Sequence, residues 1–174
     1  MKVAVFCGSS IPREGRYVDV ARELGRRIAE CGHTLVYGGS NLGLMGVVSG
    51  AALEAGGHVV GIIPTTFSEK IINSQPVTEL VRVRSMGERK EMMIRTCDAF
   101  VALPGGIGTV DEVSEVMVAN QLGHIDKPMI LLNFDGFYEP FIALMHHIKE
   151  EGLMRSDAGL VAVESVEEVL CRIC

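Results

Sequence analysis

Residues 99–112 read AFVALPGGIGTVDE, a short apolar run followed by a glycine-rich turn and the start of an amphipathic stretch. An apolar run of this length, bounded by Pro and Gly, is typical of a strand that is buried on both faces. The spacing of the apolar residues that follow predicts a helix over Val110–Leu122. A buried strand that turns directly into a helix indicates the α/β class of fold.

The same alternation extends outward from this segment over the whole chain. It indicates a three-layer, doubly wound, Rossmann-like α/β fold with a mainly parallel sheet of about seven strands. The long segment Pro64–Thr78 is predicted to be irregular. Strands are predicted at Lys2–Phe6, Thr34–Tyr37, His58–Ile63, Leu80–Val83, Ala99–Leu103, Pro128–Leu132 and Leu160–Val163. Helices are predicted around residues 17–28 and at Leu44–Ala55, Met86–Cys97, Val110–Leu122, Tyr138–Glu150 and Val166–Cys171.

Length and composition narrow the classes of partner. The 174 residues fit one domain, residues 1–174, and the net charge of −6 comes without a dense block of Lys and Arg. Nucleic acid is therefore an unfavourable partner. No apolar stretch approaches the roughly 18 residues of a membrane span, and the apolar start is too short for a signal peptide. We expect a cytoplasmic protein with no membrane partner. Five cysteines, an odd number, and histidines without ligand spacing predict no metal and no cofactor.

Glycine-rich turns follow three of the predicted strands. They contain Gly8-Ser9, the segment Gly38–Gly46, and Pro104–Thr109. Ligands of doubly wound sheets bind at the carboxyl ends of the strands, and helix N-termini there suit a phosphate group. The lysine of a P-loop is absent, and the first loop lacks the glycines of a dinucleotide-binding turn. The pattern therefore favours a mononucleotide.

Two motifs are similar to those of a known family. The segment Pro104–Glu112 matches P-G-G-x-G-T-x-x-E, and Arg89-Lys90 stands upstream of it. With Gly38-Gly39 and Gly43–Gly46, these residues resemble the Lonely Guy family over nearly the whole chain. Its members are cytokinin-activating phosphoribohydrolases that were once mislabelled lysine decarboxylases.

The resemblance implies a set of site residues. Arg89 and Glu112 are the expected catalytic pair; Gly106, Gly108 and Thr109 are expected to hold the 5′-phosphate, and Met86 and Lys90 to line the nucleotide. The full set of expected substrate-binding residues is Gly8, Ser9, Gly39, Gly43, Met86, Lys90, Gly105, Gly106, Ile107, Gly108 and Thr109.

Chemistry agrees with the expected pair. Cleavage of an N-glycosidic bond develops positive charge on the ribose, as in glycoside hydrolysis. The Glu112 carboxylate can stabilise that charge and orient the attacking water. Arg89 stays protonated, so it cannot serve as the base. It can orient Glu112, bind the ribose hydroxyls or assist the departing base, and the sequence leaves these roles open.

A structural interpretation competes for three acidic residues. Ser85–Glu88, Thr109–Glu112 and Ser165–Glu168 each fit a helix capping box, which contributes about 1 kcal/mol. We expect caps at Glu88 and Glu168. The preceding glycine-rich turn and the family resemblance favour the catalytic role for Glu112.

The expected function is hydrolysis of purine nucleoside 5′-monophosphates, cytokinin-type, AMP or both, to free base and ribose 5-phosphate. A broader salvage nucleosidase is a second possibility. A non-catalytic nucleotide or molybdenum-cofactor carrier is the alternative, and such carriers are expected to lack the Arg–Glu pair. Departures from the family pattern at Ser40, Gly87 and Val118-Ala119 mostly touch the base side, and Glu69 is the nearest candidate for an acidic substrate contact. The resemblance implies a homodimer, which suits the mean hydropathy of +0.29.

Overall fold

A computed structural model describes residues 1–67 and 77–173. Glu69 and most of the segment Pro64–Thr78 lie outside the described residues. The strands are β1 (Lys2–Phe6), β2 (Thr34–Tyr37), β3 (His58–Pro64), β4 (Glu79–Val83), β5 (Ala99–Ala102), β6 (Met129–Leu132) and β7 (Leu160–Val163). The α-helices are α1 (Gly15–Glu30), α2 (Gly43–Glu54), α3 (Met86–Thr96), α4 (Ile107–Gln121), α5 (Glu139–Glu150) and α6 (Val166–Ile173). These elements confirm the predicted α/β alternation.

The described strands form one seven-stranded sheet in the order β4-β3-β2-β1-β5-β6-β7, and every neighbouring pair is parallel. The chain therefore winds outward from β1 to β4, returns to the other side of β1, and winds outward again from β5. This reversal creates a topological switch point at the carboxyl ends of β1 and β5. Doubly wound sheets bind ligands at that place.

The core has one layer on each face of the sheet because successive strand residues point to opposite faces. Val3 and Val5 of β1 pack in the layer beneath α1, α2 and α6. Ala4 and Phe6 pack in the opposite layer with residues of α3, α4 and α5. The expected three-layer architecture is confirmed.

Helix α4 begins three residues earlier than the apolar spacing predicts. Its N-cap is Gly106 in an extended conformation, and the Thr109 amide donates to the Gly106 carbonyl at 3.0 Å. Thr109 is therefore the third residue of the helix, so the capping-box interpretation of Thr109–Glu112 is wrong. The serine caps of the other two segments form, since the Ser85 and Ser165 hydroxyls accept from the amides of Glu88 and Glu168. The Glu88 and Glu168 carboxylates accept from the amides of Arg84 and Glu164, one residue before each serine.

No helix in the described ranges is long and apolar enough to cross a bilayer. The cytoplasmic location stays a prediction.

Candidate active site

A cleft of about 520 Å³ opens at the switch point. Its walls come from the loops after β1 and β2, the end of β3, and the N-terminal ends of α3 and α4. The cleft lining contains nine of the predicted site residues: Gly8, Ser9, Met86, Arg89, Gly106, Ile107, Gly108, Thr109 and Glu112. Sequence positions that are up to 104 residues apart thus meet in one cavity because β1 and β5 are neighbours in the sheet.

The first turn of α4 forms one end of the cleft. Its N-cap is a glycine and its first turn contains no acidic residue, so no side chain of its own competes for the free amides. A Cβ built on Gly106 or Gly108 would meet no described atom within 4 Å. This open approach to free amide groups at the positive end of a helix suits an anion such as phosphate.

Gly105 stands behind this turn and has a packing role. A Cβ at Gly105 would lie 2.1 Å from Thr109 Oγ1, so only glycine lets the turn fold onto the helix. Gly105 itself is outside the cleft lining. Its predicted contact with substrate stays a prediction.

The turn is also tied to its surroundings by hydrogen bonds. The buried Tyr138 hydroxyl donates to the Leu103 carbonyl at 2.6 Å, directly before Pro104. The Gly8 amide donates to the Pro104 carbonyl at 3.2 Å, and the Gly8 carbonyl accepts from Leu44 at 3.0 Å. The loops after β1 and β5 and the start of α2 are therefore held together through Gly8.

Gly39 and Gly43 belong to this support rather than to the cleft lining. Both have positive φ, 74° and 58°, which favours glycine. A Cβ at Gly43 would also lie 2.4 Å from the backbone of Ser9 and Ser10. Gly43 lets the loop after β2 approach the loop after β1, and Gly39, where a Cβ would lie 2.9 Å from Ile63 Cβ, lets it approach the end of β3. Substrate contact by either residue stays a prediction.

Arg89 and Glu112 form a buried ion pair inside the cleft. Arg89 Nη2 lies 3.0 Å from Glu112 Oε1, and the two side chains are 11% and 9% exposed. Within the described part of the chain, Oε1 accepts no hydrogen bond of good geometry. The carboxylate is therefore charge-paired but keeps acceptor capacity for a water molecule or a hydroxyl group.

Backbone groups hold the guanidinium in place. Arg89 Nε donates to the Ile62 carbonyl at 3.1 Å, near the end of β3. A Cβ at Gly38 would lie 2.3 Å from Arg89 Nη2, so glycine at this position leaves the space that the guanidinium fills. Gly38 is not among the site residues that the sequence motifs predict, although the Gly38-Gly39 doublet after β2 draws attention to this position.

Burial dominates the electrostatics of Glu112. It raises the pKa of the Glu112 carboxyl above that of an ordinary glutamate, against the opposing pull of Arg89. Asp111 adds to the rise, and Lys90 opposes it. A carboxyl group with a raised pKa inside a cleft is a common property of catalytic acids and bases.

Lys90 lies outside the cleft lining. Its Nζ lies 2.8 Å from Asp111 Oδ2 and also pairs with Glu115 Oε2, so it connects α3 to α4. The predicted contact of Lys90 with the nucleotide stays a prediction.

Apolar side chains form another part of the cleft lining. Met45, Ile63, Phe67 and Met86 line it, and Ser40 adds a buried hydroxyl. The Ser40 hydroxyl accepts from the Leu42 amide at 3.1 Å, so it supports its own loop. A flat aromatic base fits such a wall better than a charged group does.

Among residues 1–67 and 77–173, no three His, Cys, Asp or Glu side chains are grouped as a metal site.

These features define the class: a Rossmann-like α/β protein with a cleft of about 520 Å³ and a buried Arg–Glu pair at the switch point. A family model described as "possible lysine decarboxylase" matches residues 45–173. The chain belongs to this family, the Lonely Guy family.

Similar proteins support the assignment. The cytokinin riboside 5′-monophosphate phosphoribohydrolase LOG of Oryza sativa subsp. japonica is 44% identical over 164 residues, 94% of this chain and 68% of that protein. The enzyme LOG5 of Arabidopsis thaliana, with the same activity in its name, is 45% identical over 154 residues, 88% of this chain and 68% of that protein. The chain thus spans about two-thirds of the length of each.

Solved structures share the fold. The X-ray structure of the structural-genomics target TM1055 has a TM-score of 0.75 at 27% identity and covers 99% of this chain and 98% of that one. The molybdenum-cofactor carrier protein of Chlamydomonas reinhardtii has a TM-score of 0.72 at 24% identity, over 99% of this chain and 94% of that one. At that identity the likeness to the carrier concerns the fold alone.

Proposed function

We propose that this protein is an enzyme that hydrolyses the N-glycosidic bond of purine nucleoside 5′-monophosphates to free base and ribose 5-phosphate. The substrates are AMP, N6-modified adenine nucleotides of the cytokinin type, or both. The observation that carries the proposal is the buried Arg89–Glu112 pair, which lies in one cleft with the open first turn of α4. The names of the curated relatives support a nucleoside 5′-monophosphate as substrate.

The dimensions of the cleft suit this substrate. Glu112 follows Gly108 by four residues on α4, so it stands about 6 Å further along the helix axis. With the 5′-phosphate at Gly106–Thr109, the ribose extends toward Glu112. The base then meets the apolar wall that includes Ile63 and Phe67.

Glu112 acts on the ribose in this arrangement. As the bond from C1′ to the base nitrogen breaks, its electron pair leaves with the base and positive charge develops on the sugar. The Glu112 carboxylate stabilises that charge and orients a water molecule, whose oxygen bonds to C1′. One proton of the water remains on the new hydroxyl group, and the other is transferred, directly or through solvent, to the departing base.

Arg89 serves as a fixed cation. Its guanidinium stays protonated, and its bond to the Ile62 carbonyl sets its direction. We assign it to orienting Glu112 and to binding a ribose hydroxyl or the departing base. In this scheme the phosphate needs no metal ion, since the first turn of α4 supplies the hydrogen-bond donors.

The test is chromatographic detection of free adenine or isopentenyladenine from AMP and from isopentenyl-AMP. Wild type and Glu112→Ala are compared, with nucleotide binding measured by calorimetry in parallel. Release by wild type alone would support the hydrolase, and the ratio of the two rates would give the base preference. Binding without release from either nucleotide would contradict the proposal and favour the carrier alternative.

We also propose that the protein forms a homodimer through α4 and α5. Val118 on α4 and Leu122, the C-cap of that helix, lie one turn apart and are 55% and 63% exposed. On α5, Leu144 is 51% exposed, whereas Phe141 and Ile142 pack partly against the core. A second copy of the chain is the occupant that the family resemblance implies.

Sedimentation velocity tests the dimer. We expect wild type to sediment as a dimer and the double variant Val118→Glu/Leu122→Glu to sediment as a folded monomer, with circular dichroism as the control for folding. A monomeric wild type at micromolar concentration would contradict the proposal.

A further inference from the structure

A second ion pair lies beside the Arg89–Glu112 pair. Lys90 follows Arg89 on α3, and Asp111 precedes Glu112 on α4, so the two helices are joined by two adjacent pairs. The Lys90 side chain is only 17% exposed, whereas those of its partners Asp111 and Glu115 are 57% and 37% exposed. The stem of this lysine is covered, while its ammonium group reaches those two carboxylates.

Only one member of the second pair lines the cleft. Asp111 is part of the cleft lining and Lys90 is not. Lys90 therefore lies behind Asp111 and holds its carboxylate. Asp111 and Glu115 both raise the pKa of Lys90, so the ammonium stays charged across the neutral range.

Lys90 offsets part of the negative charge around Glu112. Helix α4 carries three carboxylates here, at 111, 112 and 115, and α3 carries two cations, at 89 and 90. The other titratable groups near Glu112 are the Cys7 thiol after β1 and the Tyr138 hydroxyl, whose pKa values burial raises, so both are neutral. Without Lys90, Arg89 alone among these groups would oppose the negative charge of Asp111 at Glu112.

We propose that Lys90 is a positioning residue: it holds the Asp111 carboxylate in an ion pair and screens Glu112 from the neighbouring carboxylates, so that Glu112 stays ionised and the first turn of α4 stays open to an anion. The inference rests on the proposed function for its kinetic consequences. The effect of Lys90 on the ionisation of Glu112 does not depend on the proposed function.

Three variants separate this role from a direct contact with nucleotide. Lys90→Met removes the cation, Asp111→Asn removes the nearest carboxylate, and Lys90→Met/Asp111→Asn removes both. Lys149→Met is the matched control because it removes an exposed lysine paired with Asp157 far along the chain from the cleft. For each protein, kcat and KM for AMP are measured across pH.

The titration of Glu112 is followed in addition by carbon-13 NMR of glutamate-labelled protein, with the Glu112 signal assigned by its loss in Glu112→Gln.

The charges of Lys90 and Asp111 set the direction of the shift expected in each variant. In Lys90→Met, the midpoint of the Glu112 titration and the acid limb of kcat move to higher pH, on the order of half a unit or more. KM for AMP rises as well, because the freed Asp111 repels the phosphate. In Asp111→Asn the midpoint moves to lower pH, and in the double variant both the midpoint and KM return toward wild type.

Two results would overturn the proposal. An unchanged Glu112 titration in both single variants would show that Lys90 and Asp111 do not act on Glu112. A KM that stays high in the double variant would show that Lys90 contacts the nucleotide itself. If wild type released no base, the proposed function would fail, while the NMR titration would still decide the electrostatic role of Lys90. If Lys90→Met fails to fold, the Glu112 titration in Asp111→Asn still tests the proposal.

Discussion

Gly38→Ala places one methyl group against the functional end of Arg89. The added Cβ would lie 2.3 Å from Arg89 Nη2 and 2.8 Å from Met45 Sδ. Ordinary contacts between nonbonded heavy atoms are about 3.5–4.0 Å, so the guanidinium must retreat by roughly 1 Å or more. The φ angle of Gly38 is not in the left-handed region, so the methyl group adds no backbone strain.

We expect this displacement to lower activity much more than stability. The atoms that must move are the ends of two flexible side chains, so we expect a loss of about 1 kcal/mol, at the low end for overpacking. For a domain of this size that lowers Tm by about 2–4 °C. A misplacement of about 1 Å in a catalytic group costs about 10²-fold in rate. We therefore expect kcat to fall about 100-fold in a folded protein.

The assay is the rate of base release as a function of nucleotide concentration, with thermal unfolding in parallel. Gly50→Ala is the matched control because Gly50 lies in α2 and a Cβ there would meet no described atom within 4 Å. Its kcat should match wild type, and its stability should rise by about 0.5–1 kcal/mol from helix propensity. A kcat for Gly38→Ala close to that of wild type, with Arg89→Met inactive, would refute the idea that Gly38 positions the guanidinium.

Four further predictions concern Glu112, the phosphate and Tyr138. Glu112→Gln should lower kcat by about 10²–10⁴-fold and leave nucleotide binding intact, measured by calorimetry. Because the folded-state pKa of Glu112 is raised, its carboxyl contributes stability at low pH that is lost as pH rises through that pKa. Urea unfolding across pH should show this loss in wild type but not in Glu112→Gln. Adenosine should react far more slowly than AMP, because binding energy from the phosphate positions the sugar; comparable kcat/KM values would contradict a phosphate site at α4. Tyr138→Phe should cost about 1–3 kcal/mol in urea unfolding, because it leaves the Leu103 carbonyl without its donor. An unchanged unfolding free energy would show that water replaces the hydroxyl.

Local sequence alone predicted the elements well. The seven strands and six α-helices of the described residues lie close to their predicted positions, because short apolar runs and helical spacing indicate burial. The start of α4 was the clearest error. The N-cap formed at Gly106 because the glycine turn allows the helix to begin there, a choice that the capping pattern at Thr109 does not reveal.

The sequence motifs by themselves determined the family and predicted Arg89 and Glu112 as the catalytic pair. Only the tertiary structure decided that these two residues, 23 positions apart, face one another at 3.0 Å. It also decided that Lys90 lies behind the cleft and that Gly38 makes room for the guanidinium. The physical reason is geometric. Adjacent residues on a helix point about 100° apart, so the direction of Lys90 depends on how α3 packs against α4, and the position of Gly38 depends on the order of strands in the sheet.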